Sequence, residues 1–269
     1  FHYNPNSASW SGLNSGLALN ALHSVYKSSQ GLYACTNNGL MKFDGQRWQL
    51  EDHTGIYTSS SYRMASTSQA LVSADRKHIY RLNQLGQWDD VTPSEPYNLF
   101  EGIENSGDTL YLSVQENLTQ TPYWLPKVLY SIDQGDSWTL FQNPPPIRDG
   151  DGADLFVHRN EVYCWGEQGI FKSADLGATW QNLNGPGQAI YDLFVFKDTL
   201  YGHSDQFFWT YDGQNWHSSR PNGFNAWTRM TGVFTSAQKI YVSRFRYGIW
   251  QAPHPTARQT YSSNALKMR

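Results

Sequence analysis

The sequence is poor in charge, and the little it has is nearly balanced. Asp, Glu, Lys and Arg make up 16% of 269 residues, the formal net charge is -3 and the pI is near 6.2. No run of like charges stands out, so there is no electrostatic footprint for a phosphate backbone or an anionic lipid surface. Nucleic acid is excluded as the expected partner. No stretch of about 18 apolar residues occurs, which leaves no candidate for a membrane-spanning helix. Two cysteines, Cys35 and Cys164, are too few for a disulfide-dense scaffold. The histidines, His23, His53, His78, His158, His203, His217 and His254 among them, fall in different repeats or on different faces and make no metal-ligating set. Helical periodicity is absent throughout.

What is present is aromatic and repetitive. Phe, Trp and Tyr account for 15% of the residues. A strand-like phrase recurs as LYACT at 32, ALVSA at 70, LYLSV at 110, VYCWG at 162, LYGHS at 200 and IYVSR at 240. Each is followed by a second apolar phrase: GLMKF, HIYRL, KVLYS, GIFKS, QFFWT and GIWQA. In five of the six a tryptophan comes next, at Trp48, Trp88, Trp138, Trp180 and Trp216. Another β-type run precedes each tyrosine phrase, as in Leu22–Tyr26, Asp154–Val157 and Tyr191–Phe196. Each unit of about 40 residues therefore reads as four short strands, the signature of a propeller blade whose faces are buried by its neighbours.

The expected fold is all-β, a six-bladed β-propeller of four-stranded blades in one domain covering 1–269. The sixth unit lacks its tryptophan strand, because Trp250 runs into Pro253 and Pro255. Ser9-Trp10-Ser11-Gly12-Leu13 resembles such a strand, so an N-terminal strand is expected to complete the last blade and remove both sheet edges. Residues 256–269 have no assigned place. The start at Phe1 and the few lysines fit an exported, extracytoplasmic form, secreted or periplasmic. A monomer is expected.

The turn before the tryptophan carries a family signal. Ser131-Ile132-Asp133-Gln134-Gly135-Asp136-Ser137-Trp138 and Ser173-Ala174-Asp175-Leu176-Gly177-Ala178-Thr179-Trp180 both match S-x-D-x-G-x-[ST]-W. Phe43-Asp44-Gly45-Gln46-Arg47-Trp48 and Tyr211-Asp212-Gly213-Gln214-Asn215-Trp216 are shortened forms, and Leu82–Trp88 is a more eroded one. Through these turns the chain resembles the Asp-box (BNR-repeat) propellers, which include sialidases, sortilin-type receptors, xyloglucan-cleaving glycosidases and a photosystem assembly factor. The resemblance implies that the boxes sit on the face away from the ligand site. The acids in them are then structural: Asp caps the backbone of its own turn, and Gly takes a conformation closed to other residues.

Function is therefore sought on the opposite face, in the links between blades and the loops between second and third strands. Aromatic candidates there are Trp124, Trp165, Trp227, Tyr123 and Tyr247; Tyr123-Trp124 lies in the longest insertion, stiffened by Pro122 and Pro126. Aromatic bodies with polar tips suit sugar rings or peptides. Arginine candidates are Arg63, Arg229, Arg148 and Arg246, which a sialidase would need to converge on a carboxylate beside a Tyr/Glu pair. No Phe-Arg-Ile-Pro signature lies near the first blade, and Pro-Ile-Arg148-Asp149 is a poor echo of it. Asp149, Asp151 and Asp154 could offer oxygens to calcium, but the run lacks the distant Glu of a full EF-hand loop and reads better as a Gly-Asp turn. No cofactor is expected. The sequence thus points to a non-enzymatic module that binds a glycan or a protein partner, with a sialidase-type glycosidase as the alternative.

Overall fold

The six tyrosine-type phrases form second strands, each hydrogen-bonded between a first and a third strand in an antiparallel meander. The computed structural model describes residues 2–4, 9–11, 15–17, 22–36, 39–51, 63–94, 97, 99–117, 124–147, 154–220, 230–235, 240–244 and 248–252. These divide into two compact units, Phe1–Pro144 and Pro145–Arg269.

In the first unit, β1 (His2–Asn4) pairs with β2 (Ser9–Ser11). Three four-stranded sheets follow in chain order. The first is β3 (Leu22–Ser28), β4 (Gly31–Thr36), β5 (Gly39–Phe43) and β6 (Trp48–Leu50). The second is β7 (Arg63–Ser66), β8 (Leu71–Ala74), β9 (Ile79–Leu82) and β10 (Trp88–Asp90). The third is β11 (Leu99–Ser106), β12 (Thr109–Asn117), β13 (Trp124–Ser131) and β14 (Thr139–Leu140). In the second unit, β15 (Asp154–His158), β16 (Glu161–Gly166), β17 (Gly169–Ser173) and β18 (Gln181–Asn182) form one sheet. The next comprises β19 (Asp192–Phe196), β20 (Thr199–His203), β21 (Phe208–Tyr211) and β22 (Trp216–Ser219). The last has three strands: β23 (Met230–Thr235), β24 (Ile240–Arg244) and β25 (Gly248–Ala252).

The closing strand falls differently from expectation. Among the described pairings β2 joins β1, with Tyr3 opposite Trp10, and not the three-stranded sheet. Gly12 and Leu13 lie outside the described residues.

Packing within each unit is sheet against sheet. Tyr33, Cys35 and Leu40 meet Met64, Leu71 and Tyr80 across one gap, and Ala65, Val72 and Ile79 meet Ile103, Leu112 and Val114 across the next. The β7–β10 sheet is thus covered on both faces. In the second unit Tyr163, Trp165 and Ile170 pack on Leu193 and Leu200, while Tyr201 and Phe208 pack on Met230 and Val242. Each large apolar side chain fully buried in this way contributes about 1.5–3 kcal/mol, which is why the second strands read as near-continuous apolar runs.

In a four-stranded meander the first and third turns share one end of the sheet, and the second turn lies at the other. The first hairpins of the β15 and β19 sheets are two-residue turns with positive φ at both positions, Arg159-Asn160 (52° and 64°) and Lys197-Asp198 (49° and 58°). Arg159 and Asp198 join these neighbouring turns by an ion pair at 2.6 Å. In the first unit the Ser68 N–H donates to Asp108 Oδ1 at 2.7 Å in the same relationship.

The two full Asp-box matches have one hydrogen-bond pattern. Asp133 Oδ1 accepts from Ser131 Oγ (2.7 Å) and the Ser137 N–H (2.9 Å), Ser137 Oγ donates to Asp133 Oδ2 (2.5 Å), and the Gly135 N–H donates to Ser131 Oγ (2.8 Å). Asp175 repeats the pattern with Ser173, Thr179 and Gly177. In the shortened turns Asp44 and Asp212 each cap two backbone N–H groups, and Asn83 does so in the eroded one. Backbone N–H donation from Asn215, with His217 beside it, takes the Asp212 carboxyl down to about 2. These acids are engaged by their own turns.

Candidate functional site

At the end of the sheets opposite the boxes, the link from β18 to β19 shapes the surface of the second unit. It is anchored at both ends by backbone bonds, Leu183 N–H to Ile170 O at 2.8 Å and Tyr191 N–H to His203 O at 2.8 Å. Two indoles clamp it as well: Trp216 Nε1 donates to Leu183 O and Trp165 Nε1 to Ile190 O, each at 3.1 Å. Midway the chain runs backbone to backbone against the β16–β17 turn, where a Cβ on Gly185 would come within 3.0 Å of Gly169 Cα. A side chain at Gly185 would have to push the Gly169 backbone aside by a few tenths of an ångström.

This link borders two adjoining recesses that share Gln188. The smaller, about 120 Å3, lies over the β16–β17 turn beside Trp165, Glu167 and Gln168. The larger, about 290 Å3, lies between the link and the β20–β21 turn, lined by Gln188, Ala189, Tyr191, Ser204, Asp205, Gln206 and Phe207. Tyr191 is 41% exposed, and its ring meets that of buried His203 edge to face, with centroids 6.2 Å apart. The opposite wall is built by the 204–207 turn, closed by the Ser204 N–H to Phe207 O bond at 3.0 Å. Arg220 stacks over the Phe207 ring at 4.8 Å and donates Nη2 to Gln206 Oε1 at 2.8 Å, fixing both side chains. Burial holds the His203 imidazole down at about 4, so it is neutral at ordinary pH, and its Nδ1 has no hydrogen-bond partner.

In the first unit a groove of about 950 Å3 separates β10 and its following link from β13–β14. Its charges are mostly self-neutralised: Arg81 pairs with Asp136 at 2.6 Å, and Lys127 pairs with Glu116.

The expected site residues are distributed as follows. Trp165 lies in the core cluster with Ile170 and Leu183 at 3% exposure, where its indole holds the link and borders the smaller recess. Arg63 opens β7, opposite Ala74, in the first unit. Trp124 opens β13, opposite Asn117. Tyr123, Trp227, Arg229, Arg148, Arg246 and Tyr247 lie outside the described residues, as do Asp149 and Asp151; Asp154 opens β15 opposite Trp165. Among the described residues no three His, Cys, Asp or Glu side chains group to hold a metal. Cys35 and Cys164 are both buried, and burial pushes the Cys164 thiol up.

A Tyr/Glu pair is formed by Tyr163 and Glu161, at the end of the sheet that carries the Asp175 turn. Tyr163 donates its hydroxyl to Glu161 Oε2 at 2.7 Å, and Lys172 Nζ holds Glu161 Oε1 at 2.8 Å. Burial, reinforced by Glu161, raises the Tyr163 phenol well above its ordinary value, the reverse of what a nucleophile needs.

Tyr191 and Phe207, the aromatics that do reach the recess, read in the sequence as members of strand runs. The signal that would have found them is their position at strand ends beside predicted loops.

No protein-family model matches the chain, and no curated protein matches it in sequence. Solved structures do match in fold. A GH74 enzyme of Niastella koreensis superposes with a TM-score of 0.61 at 15% identity, over 87% of this chain and 36% of that one. YCF48 bound to D1 peptide gives 0.64 at 12%, covering 89% of this chain and 79% of that one. Virginiamycin B lyase from Staphylococcus aureus gives 0.61 at 12%, covering 88% and 85%. The chain spans about a third of the length of the GH74 enzyme. At these identities the likeness concerns architecture alone, and it places the chain among the β-propellers.

Proposed function

We propose that this protein is a non-catalytic, extracytoplasmic binding propeller that recognises a glycan or a protein partner on the face opposite its Asp boxes. The carrying observation is the recess between Tyr191 and Phe207, a concave surface on rigidly anchored loops that combines exposed aromatic area with fixed polar groups. In this reading the six sheets after β2 are six blades of one domain, and the turns at Asp133 and Asp175 are structural.

Hydrolysis of sialidase type draws no support from Tyr163 and Glu161, whose phenol is held protonated beside a lysine and away from the loop face. The test compares wild type, Tyr191→Ala and Ile132→Ser on arrays of glycans and of unmodified decapeptides. Ile132 is 75% exposed in an Asp-box turn and serves as the opposite-face control. Binding is expected to disappear with Tyr191→Ala and to survive Ile132→Ser. The converse pattern, or release of sialic acid from a sialoside by the wild type, overturns the proposal.

A further inference from the structure

We infer that the 290 Å3 recess takes an uncharged saccharide ring, an assignment of ligand class that rests on reading this face as the binding face. Three properties of the walls carry it.

The first is the aromatic surface. Tyr191 is the exposed aromatic there, and its backbone N–H and ring both contact His203, so it offers a pre-positioned platform. The C–H face of a pyranose packs on such a ring, while the phenol tip can still reach a hydroxyl.

The second is the hydrogen-bonding inventory. Gln188, Ser204, Asp205 and Gln206 supply donors and acceptors side by side. Hydroxyl groups, each donor and acceptor at once, can match such a mixed wall. Among the described residues that line the recess directly the one formal charge is the Asp205 carboxylate, which an anion would meet, while the Arg220 behind them is engaged by Phe207 and Gln206.

The third is how the recess already treats a cation. Arg220 occupies a face of Phe207 and bonds Gln206 Oε1, so a cationic ligand would approach an aromatic already covered by a positive charge. Both signs of charge are thus disfavoured.

Size agrees. The volume lies just below the range of about 300–1,000 Å3 for small-molecule pockets, room for one ring. The adjoining 120 Å3 recess, reached past Gln188, offers the next residue of a chain a contact against the Gly169–Gly185 crossing.

Isothermal titration of the full chain with cellobiose, maltose, lactose, mannobiose and digalacturonic acid tests this. At least one neutral disaccharide is expected to bind, with affinity about tenfold weaker for Tyr191→Ala and nearly unchanged for Tyr191→Phe. Asp205→Asn is expected to weaken it too, and digalacturonic acid to give no Tyr191-dependent heat. Circular dichroism melting of each variant verifies that the fold is kept. Tyr191-dependent binding of the uronate or of arrayed decapeptides, without any neutral sugar, refutes the saccharide assignment but leaves the face standing. If neither sugars nor peptides bind in a Tyr191-dependent way, the face itself is misassigned and both readings fall.

Discussion

The indole Nε1 of Trp138 donates to the Val91 carbonyl at 3.1 Å, reaching from one sheet to the first residue after the last strand of the preceding one. Trp216 and Leu183 stand in the same relationship in the second unit. At Trp138 and Trp216 the tryptophan of the repeat is therefore a tether between successive sheets as well as a filler. Trp138→Phe keeps most of the ring and removes the donor, leaving the Val91 carbonyl to find water. A loss of about 1–2 kcal/mol in urea unfolding is expected, with little change at Trp138→Phe in binding at the Tyr191 recess. No change in the unfolding midpoint would mean the tether is ornamental.

The boxes make a second prediction. Asp133→Ala strips acceptors from Ser131, Ser137 Oγ and the Ser137 N–H together, and is expected to cost about 1–2 kcal/mol, the scale of a lost backbone cap. Asp133→Asn should retain part of this. Asp175→Ala should act in the same direction. Urea denaturation measures all three, and an unchanged glycan or peptide array profile is expected throughout.

One position in the second box departs from what its backbone prefers. Leu176 sits at φ 55° and is 39% exposed, a bulky residue in the left-handed region with modest burial to offset it, where the first box has Gln134 at φ 65°. Leu176→Asn places there a residue that tolerates this conformation, and a gain of about 0.5–1 kcal/mol is expected. A lowered melting temperature would show that Leu176 packs better than its exposure suggests.

Much of the scaffold could be read from the residues themselves. Tyr33, Leu71, Tyr111, Tyr163 and Tyr201 are all buried second-strand residues, as the repeated phrase requires, and the fourth strands begin at or one residue after their tryptophans. What escaped were features decided by neighbours. Strands β14 and β18 shrink to two residues because the full box consumes chain that the shortened turns leave to the strand. Trp165 is in a strand buried on both faces, where period-two alternation carries no information, so its indole lies in the core and its N–H holds a link. Tyr191 and Phe207 are apolar letters at strand ends, and only the packing of adjacent sheets determines that their rings border a recess.

His203 provides a pH prediction with a definite sign. Its imidazole is 3% exposed and held at about 4, against 6.5 when free. Above pH ~6.5 it is neutral in both folded and unfolded chains and contributes no pH dependence. Between about 6.5 and 4 the unfolded chain takes up the proton and the folded one does not, so stability falls as pH falls through that window, by on the order of 3 kcal/mol in all. Asp212, held down at about 2, stays charged throughout that window. The urea midpoint should therefore decline from pH 7 to pH 4.5 in the wild type, and much less in His203→Leu. Because Tyr191 rests on this ring, ligand affinity measured where the protein stays folded should hold steady down to about pH 5, while His203 remains neutral. A steep loss of affinity near pH 6.5 without unfolding would show that His203 is more open to water than its burial indicates.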